Sequence, residues 1–178
     1  MRESKIKANE RREHILTLLR QAVHPLKGSA LAEQMSVTRQ VIVGDISLLK
    51  AAGEPIIATS QGYVYMADSK DQLPYKKMIV CQHGKDQVRE ELNILVDHGV
   101  HVMDVIVEHP VYGDITASLG LSTRKDVERF LERIETTGAT FLSDLTSGIH
   151  THTIAAREEE SLQGAVNELA AKGILLES

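Results

Sequence analysis

At 178 residues, 42% of them hydrophobic, the chain holds apolar material for two small cores, and its net charge of -5 argues against nucleic-acid binding unless that charge is unevenly divided. No apolar run approaches the ~20 residues that span a bilayer, and the opening MRESKIKANERRE lacks the apolar stretch of a signal peptide, so a cytoplasmic protein without membrane contact is expected. The single cysteine, Cys81, excludes an intramolecular disulfide framework and, at the end of an apolar run, reads as a small core residue rather than a nucleophile.

Ile15, Leu18, Leu19 and Ala22 recur at spacings of three and four and predict a first helix, closed by His24-Pro25 because the residue before proline leaves the α region. Ser29 is the expected cap of a short second helix carrying Leu31, Ala32 and Met35, and Ser36 of a third carrying Ile42, Ile46 and Leu49, stopped by Gly53. Three helices with a tight link between the second and third describe a helix-turn-helix. After Pro55 the period changes, and two short apolar runs around Ser60-Gln61-Gly62 predict a hairpin where a wing would sit.

Residues 67–75 lack apolar periodicity and are read as a linker between a DNA-binding domain at 1–66 and a second domain at 76–178. In that second domain a strand ending at His83 precedes a helix with Val88, Leu92, Leu95 and Val96. A strand from Val100 to Val107 alternates His101, Met103, Val105 and Val107 with Val102, Asp104 and Ile106, and a shorter one covers Asp114 to Leu119. Ser122 or Thr123 caps a helix with Val127, Phe130, Leu131 and Ile134 that ends at Gly138. Two strands then form a hairpin around Thr146-Ser147-Gly148, a last helix follows Glu158 to Glu160, and a final strand is considered at Ile174 to Leu176. The fold class expected is α+β: a winged helix-turn-helix followed by an α/β sandwich with helices on one face of a mostly antiparallel sheet.

Charge supports that division, since residues 1–66 carry a balance of +3 and residues 67–178 a balance of -8, which confines DNA contact to the first domain. On the third helix the buried stripe leaves Thr38, Arg39, Gln40, Val43, Gly44 and Ser47 outward, a face suited to a major groove, where Arg pairs with guanine and Gln with adenine. Arg11, Arg12, Lys27 and Lys50 are candidates for phosphate contact, whereas Asp45 would repel phosphate and is expected to pair locally.

The second constellation is histidine. His150 and His152 lie two apart in a predicted strand, so their imidazoles share one face and can converge on one ion. His83 closes the first strand, with Glu90 or Glu91 on the helix just after it. Three imidazoles and a carboxylate suit Zn, Ni, Fe or Co.

The chain resembles the niacin-responsive repressors of NAD biosynthesis, which join a winged helix to a domain named for three histidines. The resemblance rests on residues 11–19, 29–33 and 36–46, on the strand ending in His83, on Glu108 to Gly113 and on Gly148 to Ile154. It implies a metal site at His83, Glu91, His150 and His152, nicotinic acid as corepressor, a homodimer, and an operator upstream of genes for NAD synthesis or niacin uptake. His109 and Tyr112 lie on the resembling segment and are candidates for effector contact, with Arg124 or Lys125 as carboxylate partner. Gly44 departs from related helices, many of which carry a larger polar residue there. Two other readings stand beside it: a repressor whose signal is the metal itself, and a metal-dependent hydrolase fused to a DNA-binding domain.

Overall fold

In the computed structural model, which describes residues 8–66 and 73–176, the chain falls into two units, Met1–Lys70 and Asp71–Ser178. Most of the expected linker, residues 67–72, lies outside the described residues.

The first unit contains helices α1 (Ala8–Gln21), α2 (Gly28–Gln34) and α3 (Arg39–Ala51), then strands β1 (Ile56–Thr59) and β2 (Gly62–Tyr65). The predicted stripes meet: Ile15, Leu19, Leu31, Ala32, Met35, Ile42, Ile46, Leu49 and Ile56 form one buried cluster. Two expected caps are corrected. Ser36 sits in the left-handed region at φ 53° and makes the turn between α2 and α3, while Thr38 caps α3 by accepting a hydrogen bond from the Val41 amide. Ser29 lies inside α2, which begins at Gly28 after Lys27 and has no side-chain cap. The wing is antiparallel, with Thr59 opposite Gly62. Tyr63 ties it to the α1–α2 link through paired bonds with Leu26 of 2.9 and 2.8 Å. Gly62 is required at this crossing, because at φ +133° any Cβ would stand 2.6 Å from the Leu26 carbonyl.

The second unit has strands β3 (Tyr75–Gln82), β4 (His101–His109), β5 (Gly113–Leu121) and β6 (Ile149–Ala156), in spatial order β3-β6-β4-β5 and antiparallel throughout. Helices α4 (Val88–Asp97), α5 (Arg124–Thr137) and α6 (Glu159–Ala171) cover one face. Ile79, Val102, Leu121 and Ile154 are buried beneath them with Leu92, Leu95, Val127 and Leu169, whereas Met78, Val80 and Ile149 on the other face are exposed. Thr123 caps α5 in a reciprocal box with Asp126, a device worth about 1 kcal/mol, and Gly138 ends the helix in the left-handed conformation.

Three expectations for this unit are corrected, and each correction bears on the site. The alternation along β4 fails at a bulge between Val102 and Asp104, so Val102 joins Val105 and Val107 on the covered face. The hairpin around Thr146 to Gly148 is instead a 3-10 turn (Leu142–Thr146) leading into the single strand β6. Its polar groups bond locally, Gly148 N to Ser143 O at 2.8 Å and Asp144 N to Phe141 O at 3.1 Å, which leaves no ladder for a second strand. The tail makes one bridge, Leu175 with Cys81, flanked by bonds of 2.9 Å from Gln82 N to Ile174 O and from Leu176 N to Val80 O.

Candidate metal centre and nucleic-acid interface

The register of β3 on β6 sets Cys81 opposite His150 and Ile79 opposite His152, which places these side chains on the covered face. His83 follows directly after β3. The turn into β6 packs against it so closely that a Cβ on Gly148, at φ +89°, would stand 2.3 Å from the His83 carbonyl. Glu91, in the first turn of α4, points inward and is 1% exposed. One Glu91 oxygen lies 2.8 Å from His83 Nε2, and the other lies 3.1 Å from His150 Nε2 and 3.3 Å from His152 Nε2. Glu90, which spacing alone could not separate from Glu91, instead pairs with Lys172 at 2.8 Å on the surface.

The outer nitrogen of each ring decides what the inner one can do. Nδ1 of His83 faces Gly84 O at 2.8 Å, that of His150 faces Gly148 O at 2.9 Å, and that of His152 faces Asp104 O at 2.6 Å. A carbonyl only accepts, so all three Nδ1 atoms carry hydrogen and donate. The β4 bulge makes the third bond possible by turning Asp104 toward β6, where its carboxylate also accepts from Thr153 N at 2.9 Å. In the neutral rings every Nε2 then aims a lone pair at a carboxylate. Lone pairs facing lone pairs repel, so the arrangement requires either protons on the imidazoles or a cation among them.

The titration directions follow from this geometry. Burial pushes the Glu91 carboxyl up, but the three imidazoles outweigh it and hold the group well below the usual carboxylate range. Burial pushes His83 and His152 down and Glu91 pushes both further up, so they end above the ordinary histidine value. Imidazole nitrogens and a carboxylate are donor types that a borderline divalent ion such as zinc, nickel, iron or cobalt takes, and among the described residues the donor atoms that all lie within 4.8 Å of one another belong to Cys81, Glu91 and His150. Cys81 reads from sequence as core alone, yet its sulfur lies within 4.8 Å of donor atoms of both Glu91 and His150.

A cavity of about 220 Å³ adjoins this cluster, lined by Glu91, His150 and His152 together with Val105, Leu119, Phe130, Phe141 and Ser143. Among the described residues no Lys or Arg lines it. The effector candidates named from sequence are not brought there. His109 and Tyr112 form the β4–β5 hairpin tip, where His109 Nδ1 accepts from the Val111 and Tyr112 amides at 3.1 and 3.3 Å and Tyr112 is 78% exposed. Arg124 is held by Asp97 at 2.7 and 2.5 Å, and Lys125 is exposed on the same helix. Phe130 and Phe141, 6.3 Å apart, are the aromatic walls that sequence reading missed, because an inward phenylalanine looks the same in sequence, on helix α5 or at the start of the 3-10 turn, whether it lines a core or a cavity.

In the first unit Thr38, Arg39, Gln40, Gly44, Ser47 and Lys50 are exposed along α3, with Val43 half-buried and Lys27 exposed at the start of α2. Nothing lies within 4 Å of a Cβ built on Gly44, so this stretch of the helix is open to close approach. Thr38 and Ser47 also bond their own helix, Thr38 Oγ1 accepting from Val41 N and Ser47 Oγ donating to Val43 O at 2.8 Å. Asp45, 4% exposed, pairs locally as expected, but with the residues read as phosphate contacts: Arg11 at 2.6 Å and Arg12 at 3.5 Å. Arg12 also donates to Asn9 on the surface, so its guanidinium is shared between Asp45 and an exposed partner.

A helix-turn-helix with a wing and an open third helix, in one chain with a sheet domain holding a buried ligand-type cluster, defines a two-domain DNA-binding regulator. Residues 11–64 match the HTH domain family, and residues 76–178 match the 3H domain family. The chain is 47% identical over 175 residues, 98% of its length and 97% of the relative's, to the transcription repressor NadR of Bacillus subtilis (strain 168). It is 39% identical over 168 residues, 94% of each chain, to the probable transcription repressor NiaR of Thermotoga maritima. The chain belongs to this family of transcription repressors built from an HTH and a 3H domain. Among the described residues no helix is long and apolar enough to cross a membrane.

Proposed function

We propose that the chain represses genes of NAD biosynthesis or niacin uptake, with nicotinic acid as corepressor and one divalent transition metal held per chain by His83, Glu91, His150 and His152. The observation that carries this reading is the set of three imidazoles whose outer nitrogens donate to backbone carbonyls and whose inner nitrogens converge on one buried carboxylate.

The adjacent cavity supports a small ring as ligand. At about 220 Å³ it is below the ~300–1,000 Å³ typical of drug-sized sites, and its walls are mainly apolar with two phenylalanines. An anionic carboxylate entering it would meet Glu91 and no basic side chain. A divalent cation held by His83, Glu91, His150 and His152 would supply positive charge there. The pyridine ring is then placed against Phe130 and Phe141, and the Ser143 hydroxyl is within the lining as a donor. His109, Tyr112 and Arg124, considered from sequence, are set aside as contacts within one chain because they lie off the cavity.

DNA recognition is placed on Arg39, Gln40, Val43, Gly44 and Ser47, with Lys27 and Lys50 on phosphates. A homodimer would set two such helices roughly 34 Å apart in successive major grooves. Ligand acts by binding the DNA-competent pose more tightly, and a 100-fold gain in operator affinity needs a differential of about 2.7 kcal/mol. The test is a gel shift on an operator recovered from genomic fragments, titrated with nicotinic acid before and after metal removal. Tighter binding with ligand in the loaded protein alone is expected. Operator affinity unchanged at saturating ligand contradicts the corepressor reading.

A further inference from the structure

Cys81 is 0% exposed and belongs to the buried apolar cluster of the second unit. Its inward neighbours include two potential metal donors. The pleat of β3 turns Ile79 and Cys81 to the face that carries His152 and His150, their cross-strand partners, and Glu91 reaches across from α4. Cys81 Sγ, a Glu91 oxygen and a His150 nitrogen all lie within 4.8 Å of one another, and all three residues are buried. Donor atoms on one ion stand no farther apart than twice the metal–donor distance, about 4.0–4.6 Å. The observed spacing is therefore met by small side-chain adjustments, without moving either strand. The thiol is fully buried, and the backbone of Leu175 pairs with that of Cys81 along the β3 edge.

We propose that Cys81 is a further metal donor of this centre, so that the site offers sulfur beside imidazole and carboxylate and favours thiophilic divalent ions, zinc or cobalt over manganese. The proposal rests on the metal reading given above and goes beyond it in adding a donor. Thiolate is the ligand type that separates these ions, since imidazole and carboxylate alone suit a wider set. On binding, the Cys81 S–H bond breaks and a metal–sulfur bond forms from the electron pair left on sulfur. The proton leaves to solvent, and nothing is oxidised or reduced.

The experiment uses the full chain, stripped of metal under a reductant and titrated anaerobically with cobalt(II). Wild type is expected to bind one equivalent and to develop a near-ultraviolet sulfur-to-cobalt charge-transfer band. Cys81→Ser should still take cobalt through the imidazoles and Glu91 but lack that band, and its zinc-over-manganese preference should fall at least tenfold in competition. X-ray absorption on zinc-loaded wild type needs no variant. It should find one sulfur at about 2.3 Å beside nitrogen and oxygen at about 2.0–2.1 Å. One equivalent of metal with only nitrogen and oxygen neighbours and no charge-transfer band overturns the Cys81 assignment while leaving the histidine centre standing. Failure of the wild type to bind any metal, read by elemental analysis, overturns both. If Cys81→Ser does not fold, the absorption spectrum of the wild type decides.

Discussion

Glu91→Gln preserves the shape of the side chain and removes its charge at the point where three inner imidazole nitrogens converge. Groups that only support a metal ligand are worth about 10–100-fold in metal affinity. A direct anionic donor is worth at least the upper figure, or about 2.7 kcal/mol at about 1.36 kcal/mol per tenfold. The fold should survive, because the introduced side-chain amide donates to two of the facing lone pairs and so replaces repulsion with hydrogen bonds. The assay is competition for zinc against a chromophoric chelator at neutral pH, with circular dichroism to check folding. At least 100-fold weaker binding in a folded variant is expected. A folded variant that holds zinc as tightly as wild type refutes the assignment of Glu91 as donor.

Metal-free protein should have an inverted pH response. His83 and His152 are raised above 6.5 in the fold, so their contribution is complete below that value and is lost as pH rises through the folded values. Glu91 is lowered well below 4.5, so its contribution is present above that and is lost as pH falls through its folded value. Thermal melts of the chelated chain should thus be highest between about pH 4.5 and 6.5 and drop toward pH 8, whereas metal-loaded protein gains with pH because protons compete with the ion. A chelated chain that becomes steadily more stable up to pH 8 contradicts the paired imidazole–carboxylate cluster. Asp45→Ala should cost about 2 kcal/mol in urea melts, less than the about 3–5 of a fully buried pair because Arg12 is 25% exposed, and an unchanged midpoint would show the clamp to be idle. Gly44→Ala should stabilise α3 by up to about 1 kcal/mol while weakening operator binding in a gel shift; full operator affinity would place the groove elsewhere. Phe141→Ala should abolish the nicotinic acid response at unchanged metal content, and a normal response would remove the ring from this cavity.

The parts of the fold legible in the sequence are those set by a simple period. Ile15 and Leu19, Ile42 and Ile46, and the His150–His152 pair announce themselves through spacings of four and two, and each packs as those spacings require. What spacing could not reveal depends on one inserted residue or one long-range contact. The bulge in β4 moves Val102 to the covered face and turns Asp104 toward His152, and nothing in its alternating residues marks where the ladder slips. Residues 141–146 carry apolar side chains suited to a strand, but the Asp144 amide and the Ser143 carbonyl make the local backbone bonds of a turn, and the Thr146 hydroxyl donates to the Ser143 carbonyl within it. Glu90 and Glu91 are adjacent on one helix, and only the packing of α4 decides which faces the histidines. Cys81 and Phe141 gain their proposed roles from neighbours distant in sequence, so an apolar reading of each is the natural one from the residues alone.

The most direct measurement is anomalous scattering from crystals of the full chain purified without chelator, with data on either side of the absorption edge of the metal found by elemental analysis. A single strong peak per chain, bounded by Nε2 of His83, His150 and His152 and by the Glu91 carboxylate, is expected. A peak elsewhere, or none with Glu91 still hydrogen-bonded to all three rings, contradicts that expectation.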